Sequence, residues 1–402
     1  MLGACGEVGK SAVVVESSNT DKQTVALMVW GTQAELGENN DGWLPAMCEN
    51  FEKLHTQWEI TWIFDACEED DIVSRISADP VAAADVYSFT NNQLDALLND
   101  ECIAPLSETA SKQILDDNTK KIADSVTVAG KVYGVPFSGK TWFMYYDTTV
   151  FSESDVKNLD LMLEKGRVSF PLTAEWYFGA FYLANGCSVL GNSTDDSISF
   201  DFSADKALPV TEYLATLVKN PNFVIDADGT GLQCLSDGVV SAIFTGTWEK
   251  EVVQQTLGET WTATIPPTVT IVGEEKQLAP FGVVNAVAVN PHTKNFDAAE
   301  ALALYLASPE IQMERYEFMS AAPVSKKLLK ENNKILSDYS CIAMVETMEF
   351  CSVTQPDYPH MENYWSAISR FSREIVDGTI TDKNALEKTE NLHVELNQQV
   401  VD

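Results

Sequence analysis

The sequence predicts an α/β protein of two or three domains, with mostly parallel sheets covered by helices on both faces. Three observations predict it. Apolar runs of strand length alternate with segments of helical period. The repeated strand-then-helix order is the signature of parallel sheets. The 402 residues are 45% hydrophobic with ordinary Gly, Pro and charged usage, enough for substantial cores at about 150 residues per domain.

The elements follow in order. Residues 24–30 (TVALMVW) read as a buried strand, and Trp43, Met47, Phe51 and Leu54 recur at three and four residues, which is helical. Residues 59–64 (EITWIF) give a second strand, 71–76 a short amphipathic helix, 84–89 (ADVYSF) a third strand and 93–99 a helix. Ligands of such sheets bind beyond the carboxyl ends of the strands, so positions just after Trp30 and at 89–93 are candidates by topology. Residues 131–147 (KVYGVPFSGKTWFMYYD) read as a turn and then an aromatic strand. Helices are expected at 174–185, 204–218 and 296–306, and strands at 241–245 and 283–290. Near the end Trp365, Ile368, Phe371 and Ile375 share a helical face, Gly378 sits at its C-cap, and Leu386, Thr389, Leu392 and Leu396 repeat the pattern.

Charge and motifs exclude several functions. With 60 acidic against 26 basic residues, the net charge of -34 repels phosphate backbones and anionic bilayers, so no nucleic-acid partner is expected. Residues 134–141 (GVPFSGKT) match the Walker A expression letter for letter. A phosphate cradle needs a buried strand before it, inward N–H groups and a helix after it. Here Pro136 lacks an N–H and WFMYY reads as strand, so the segment is expected to be a tight turn entering a strand. The four histidines have no metal-ligand spacing, and no Cys-x-x-Cys pair occurs. Asp226-Ala-Asp228-Gly229 resembles part of a calcium loop, but Val224 and Leu235 occupy the first and twelfth ligand positions. No cofactor or metal is expected, and no nucleophile-elbow pattern appears. A glycosidase needs two carboxylates across a cleft, which counting alone leaves open.

Leu2-Gly3-Ala4-Cys5 resembles a bacterial lipobox, whose cysteine is lipidated and anchors the mature chain to the outer face of the membrane. No basic stretch or apolar core precedes it, which reads as a leader trimmed just upstream. Residues up to 23 read as a flexible tether. No later stretch has 18 continuous apolar residues, so no span is expected. Disulfides are permitted outside the cell, with pairing among the remaining cysteines left open.

Nine tryptophans include several where a core gives no obvious reason for them: Trp142, Trp176 beside Tyr177, Trp248 in TGTW, and Trp365. A neutral sugar offers C–H faces and a rim of hydroxyls, matched by flat aromatics and planar hydrogen-bonding groups. Taken singly, each of these aromatics is more often core than ligand platform, because large aromatics dominate core burial.

The order of the motifs is more specific. YGVPFSGKTWFMYYDTTVF, AEWYFGAFYLANG, AIFTGTWEKEVVQQTLGETWTATIPPTV, FDAAEALALYLASPEIQ and PHMENYWSAISRFSREIVDGTITDKNALEKT together resemble the maltose-binding protein family of extracellular solute-binding proteins. The resemblance runs from residue 24 to the C-terminus. It implies a two-lobed, type II periplasmic-binding-protein-like fold with a hinge crossed about three times, near 136–140, 281–285 and 322–328. The lobes would be 24–137 with 284–325 and 138–283 with 326–402, after a tether at 1–23. It implies a non-enzymatic, monomeric binding subunit of a sugar importer that hands its ligand to membrane permease subunits. By the same resemblance Trp248, Trp365, Trp176 and Tyr177 fall on second-lobe stacking positions and Phe89 on a first-lobe one. Asn91, Asn92 and Gln93 fall near first-lobe polar contacts, and Gln33 and Glu35 are the closest candidates after the first strand. Lys140 replaces a glutamate at the hinge, with Trp142 close by. The charged groups the family carries beside Phe89 are absent, so the hydroxyl-reading set differs. The segments 169–186 and 245–258 look most like maltodextrin-type members, which implies α-1,4-glucan oligosaccharides, maltotriose or longer. The resemblance also leaves room for a different oligosaccharide or a cationic ligand, which the acidic balance favours.

Overall fold

The computed structural model describes residues 22–192, 197–227, 229–356 and 361–398. Cys5 with nearly all of the tether, and Asp228 of the calcium-loop-like segment, lie outside the described residues. In chain order the strands of the two main sheets are β1 (Gln23–Gly31), β2 (Trp58–Ala66), β3 (Val86–Thr90), β4 (Gly134–Lys140), β5 (Phe143–Asp147), β6 (Val168–Phe170), β7 (Phe223–Ile225), β8 (Ala242–Thr245), β9 (Trp261–Thr264), β10 (Phe281–Val289) and β11 (Val353–Thr354). One sheet runs β11-β10-β3-β1-β2 with β4 against β10, and the other runs β7-β6-β8-β5-β9. Each sheet carries one lobe of the α/β fold. The helices that matter below are α1 (Trp43–Leu54), α2 (Glu175–Ala184), α3 (Pro309–Met319), α4 (Tyr339–Phe350), α5 (Met361–Val376) and α6 (Ala385–Leu396).

The sheets are mixed, where the sequence pattern predicts mostly parallel ones. β1 is parallel to β2 and β3, and β6 is parallel to β7 and β8. β10 runs antiparallel to β3 and β4, and β5 antiparallel to β8 and β9. The cause is topological: β10 and β5 each arrive from the other lobe, not through a helical crossover, so no crossover fixes their direction.

Burial follows the period of each element. Val25, Leu27 and Val29 of β1 enter the first core with Phe51 of α1. In β5, Met144 and Tyr146 face one cluster while Phe143 and Tyr145 face another, as a period of two requires. The α5 stripe of Ile368, Phe371 and Ile375 is buried, and Gly378, at φ 79°, closes that helix with an N–H to the Ile375 carbonyl. In α6, Thr389, Leu392 and Leu396 are buried but Leu386 is exposed, and Ala385 takes the inward position.

The Walker-like segment is neither cradle nor turn. Gly134–Lys140 is itself strand β4, and the turn is delayed to Thr141 and Trp142. Among the described residues β10 is its only extended partner, so Pro136 sits at an edge where its missing N–H is tolerated. The register slips between Asn285 and Ala286, leaving Phe137 in a bulge. Around this pair of strands the chain passes between lobes. The Thr141 hydroxyl donates to the Phe281 carbonyl at 2.8 Å, the Gly139 N–H to the Ala322 carbonyl at 3.2 Å, and Ser138 bridges to Pro323. No described helix is long and apolar enough to cross a membrane.

Candidate ligand-binding site

Strand β8 ends at Thr245, and the chain passes Gly246 into a one-turn 3-10 helix at Thr247–Glu249. The Trp248 ring folds back across Gly246 so closely that a Cβ there would lie 2.0 Å from it, so any larger residue would displace the ring. The turn is braced on both sides. The Tyr145 hydroxyl donates to the Gly246 carbonyl at 3.1 Å, and the Lys250 ammonium meets Asp338 Oδ2 at 2.6 Å. Asp338 also caps α4 by accepting from the Ser340 and Cys341 N–H groups, and it accepts from the Ser340 and Tyr316 hydroxyls. Burial opposes its charge, but hydrogen bonds from Lys250, Ser340 and Tyr316 outweigh burial and hold its carboxyl below the usual range. Trp248 is thus 46% exposed on a rigid support.

Trp176 and Tyr177 project from the first turn of α2, both half-buried. The Trp176 ring lies 6.3 Å from that of Trp248, tilted by 39°, and its indole N–H donates to Gln355 Oε1 at 2.9 Å. Tyr177 meets Trp176 edge-on at 5.5 Å. Trp142, expected near the ligand, is fully buried: it stacks under Tyr177 at 5.2 Å and donates to the Trp176 carbonyl at 3.4 Å. It is the platform's foundation, not its surface, because, one residue before β5, it shares the second-core side of Met144 and Tyr146. Trp365 of α5 is half-buried on the same core, edge-on to Phe281 at 5.7 Å and to Tyr364 at 4.9 Å. The structure therefore brings Trp176, Tyr177 and Trp248 into one partly exposed aromatic surface, while Trp365 packs on the same core through Phe281 and Tyr364.

The first lobe departs further from expectation. Phe89 is 1% exposed and packs over Gly134, where a Cβ would come within 2.6 Å of its ring. Strand alternation explains this, since Phe89 shares the core face with Tyr87 while Ser88 points the other way, into a cavity. Asn91 is buried and accepts the Val284 N–H at 2.6 Å, and Gln93 is buried, closing a capping box with Thr90 and donating to the Glu69 carbonyl. Both serve the backbone. Asn92 lies beside a crevice of about 460 Å³ lined also by Lys121, Thr354 and Gln355. Gln33 is exposed and donates to the Gly37 carbonyl. Glu35 is buried, boxed with Thr32 and paired with Arg315. Lys140 is half-exposed at the end of β4, with its ammonium 3.6 Å from Glu69.

Beyond the end of β1 lies a small, mainly apolar cavity of about 70 Å³, bounded by Trp30, Thr32, Glu69, Ser88, Asn285 and Met319 among others. The Trp30 indole N–H and the Asn285 carbonyl oxygen are buried with no hydrogen-bond partner among the described residues. Topology points to the residues just past Trp30, but its unused N–H carries no sequence signal. Gln355 and Met319 carry none either, because both are placed by contacts distant in sequence.

Residues 46–339 match the family model described as bacterial extracellular solute-binding protein. The galactooligosaccharide-binding protein of Bacillus subtilis (strain 168) is 21% identical over 406 aligned positions, covering 96% of this chain and 92% of that one. The maltodextrin-binding protein MdxE of the same organism is 25% identical over 292 positions, covering 66% and 68%. A structure solved with acarbose is 38% identical, with a TM-score of 0.79 over 94% of this chain and 99% of that one. Maltodextrin binding protein MalE1 from L. casei BL23, without ligand, is 23% identical, with a TM-score of 0.82 over 93% and 99%.

Proposed function

Because the chain belongs to the bacterial extracellular solute-binding protein family, we propose that it captures maltooligosaccharides, maltotriose or longer, between its lobes and delivers them to the permease of an ABC importer. The observation that carries this reading is the partly exposed surface of Trp176, Tyr177 and Trp248, held on a foundation of Trp142 and the braced Gly246 turn. Flat rings at this spacing suit the C–H faces of successive pyranoses. The 38% identical relative was solved with acarbose, which is also a ligand of a maltose binding protein, and this supports the same substrate class.

In this reading the lobes are 24–137 with 284–325 and 138–283 with 326–402, and the linked strands β4 and β10 form the hinge. Sugar stacks first on the second-lobe aromatics; first-lobe hydroxyl-reading groups then complete its hydrogen bonds as the hinge closes, and the closed form is what the permease recognises. Micromolar capture requires about -8 kcal/mol, within reach of two or three stacked rings after ordering costs. The protein acts as a monomer without catalysis, held outside the cell by a lipid on Cys5.

A second reading, capture of galactooligosaccharides, is favoured by the relative that matches nearly the whole chain at 21% identity. A glycan array read with a thermal-shift panel separates the two. Signal confined to α-1,4-glucans supports the first; signal confined to galactosides, or to a cationic ligand, overturns it.

A further inference from the structure

The failed first-lobe stacking position at Phe89 leaves that side of the cleft without an apolar wall, and the end of α3 offers one. Phe318 is 46% and Met319 39% exposed, just before Ser320 ends the helix in the left-handed region at φ 58°. The pair is not loose surface. The Phe318 ring stacks on Trp43 at 6.1 Å with 14° between planes, and the Arg315 guanidinium lies over Trp43 at 4.3 Å and over Phe137 at 4.1 Å. Arg315 is 3% exposed and is fixed by its ion pair with the buried Glu35. Ring, ring, guanidinium and ring thus form a continuous stack anchored in the first core, with its outer end open to solvent.

Met319 bounds the same cavity as Trp30, Asn285 and Arg315. Trp30 is 5% exposed, and its indole N–H has no partner among the described residues; neither do Asn285 Oδ1 and Arg315 Nε. Buried donors and acceptors left open beside an exposed apolar rim match a sugar, which brings hydroxyls to the first and a C–H face to the second. Resting on the maltooligosaccharide reading, we infer that Phe318 and Met319 are the first-lobe apolar wall of the sugar site. Met319 covers the unit whose hydroxyls meet Trp30 and Asn285. Phe318, exposed beside Met319 but not part of the cavity lining, carries a further unit and so sets a preference for longer chains.

Calorimetric titration of the full chain with maltose, maltotriose, maltotetraose and maltohexaose, repeated for Phe318→Ala and Met319→Ala, tests this. Both side chains are exposed, so the variants should melt with the unaltered protein. Met319→Ala is expected to weaken every chain length by about fivefold. Phe318→Ala is expected to weaken maltohexaose by about fivefold to tenfold and maltotriose by less than about twofold. Unchanged affinities in both variants, with the unaltered protein binding normally, overturn the assignment alone. An unaltered protein that binds none of the four sugars overturns both the assignment and the reading beneath it.

Discussion

Trp248 is exposed yet held on a braced turn, so its ring should matter to binding and little to folding. Trp248→Ala is expected to weaken sugar binding by about 1–2 kcal/mol, about fivefold to thirtyfold in Kd, with an unchanged melting temperature. A paired glycine test separates platform from core. Gly246→Ala should displace the Trp248 ring, which has solvent to move into, and so lower affinity at little cost in stability. Gly134→Ala meets the buried Phe89 instead and should cost about 1–3 kcal/mol of stability by overpacking, read from a urea midpoint, with binding preserved. The same contrast shows what is legible at this scale. Aromatic identity in the sequence marks Trp142 and Trp248 alike, but one is fully buried and the other half open. Only the tertiary neighbours, Phe170 and Phe244 edge-on around Trp142, decide between them.

Elements were more legible than residues. Strands at 24–30, 59–64 and 84–89 and helices at 174–185 and 204–218 stand within a residue or two of where period and caps put them. The exception is Gly134–Lys140, where Gly and Pro read as a turn. An edge position beside β10, which no local signal encodes, makes it a strand. Two other elements are joined by single charges. The Lys121 ammonium donates to the Met348 carbonyl, to the Ser352 carbonyl at 2.8 Å and to the Ser352 hydroxyl at 3.2 Å, closing the C-terminal end of α4. Lys121→Met should leave the Ser352 carbonyl without its donor, the Met348 carbonyl keeping the Ser352 hydroxyl, and cost about 1–3 kcal/mol, measured by chemical denaturation. At the other end of α4, Asp338 is held below the ordinary aspartate value of about 3.9 despite its burial. Its contribution to stability should therefore be complete above that pH and be lost as pH falls through the depressed folded value. Asp338→Asn should flatten that part of the acid limb in a pH series of thermal melts.

For the whole molecule, the sequence motifs carried the two-lobed plan, and the net charge of -34 argued against polyanionic partners. The first-lobe half of the site was not legible, because Trp30, Asn285 and Met319 meet only after the chain has passed between lobes around β4 and β10. These groups already line one cavity within the first lobe, and on the proposed reading bound sugar should stabilise the folded state. By mass action a hundredfold excess over Kd adds about 2.7 kcal/mol, visible as a raised melting temperature. The measurement that bears most directly on the central claim is calorimetric titration of maltotriose into the unaltered protein and into a Trp176→Ala, Trp248→Ala double variant. Saturable heat with micromolar affinity in the first and none in the second is the predicted result. No heat in either at millimolar sugar, or equal binding in both, would contradict sugar capture on this aromatic surface.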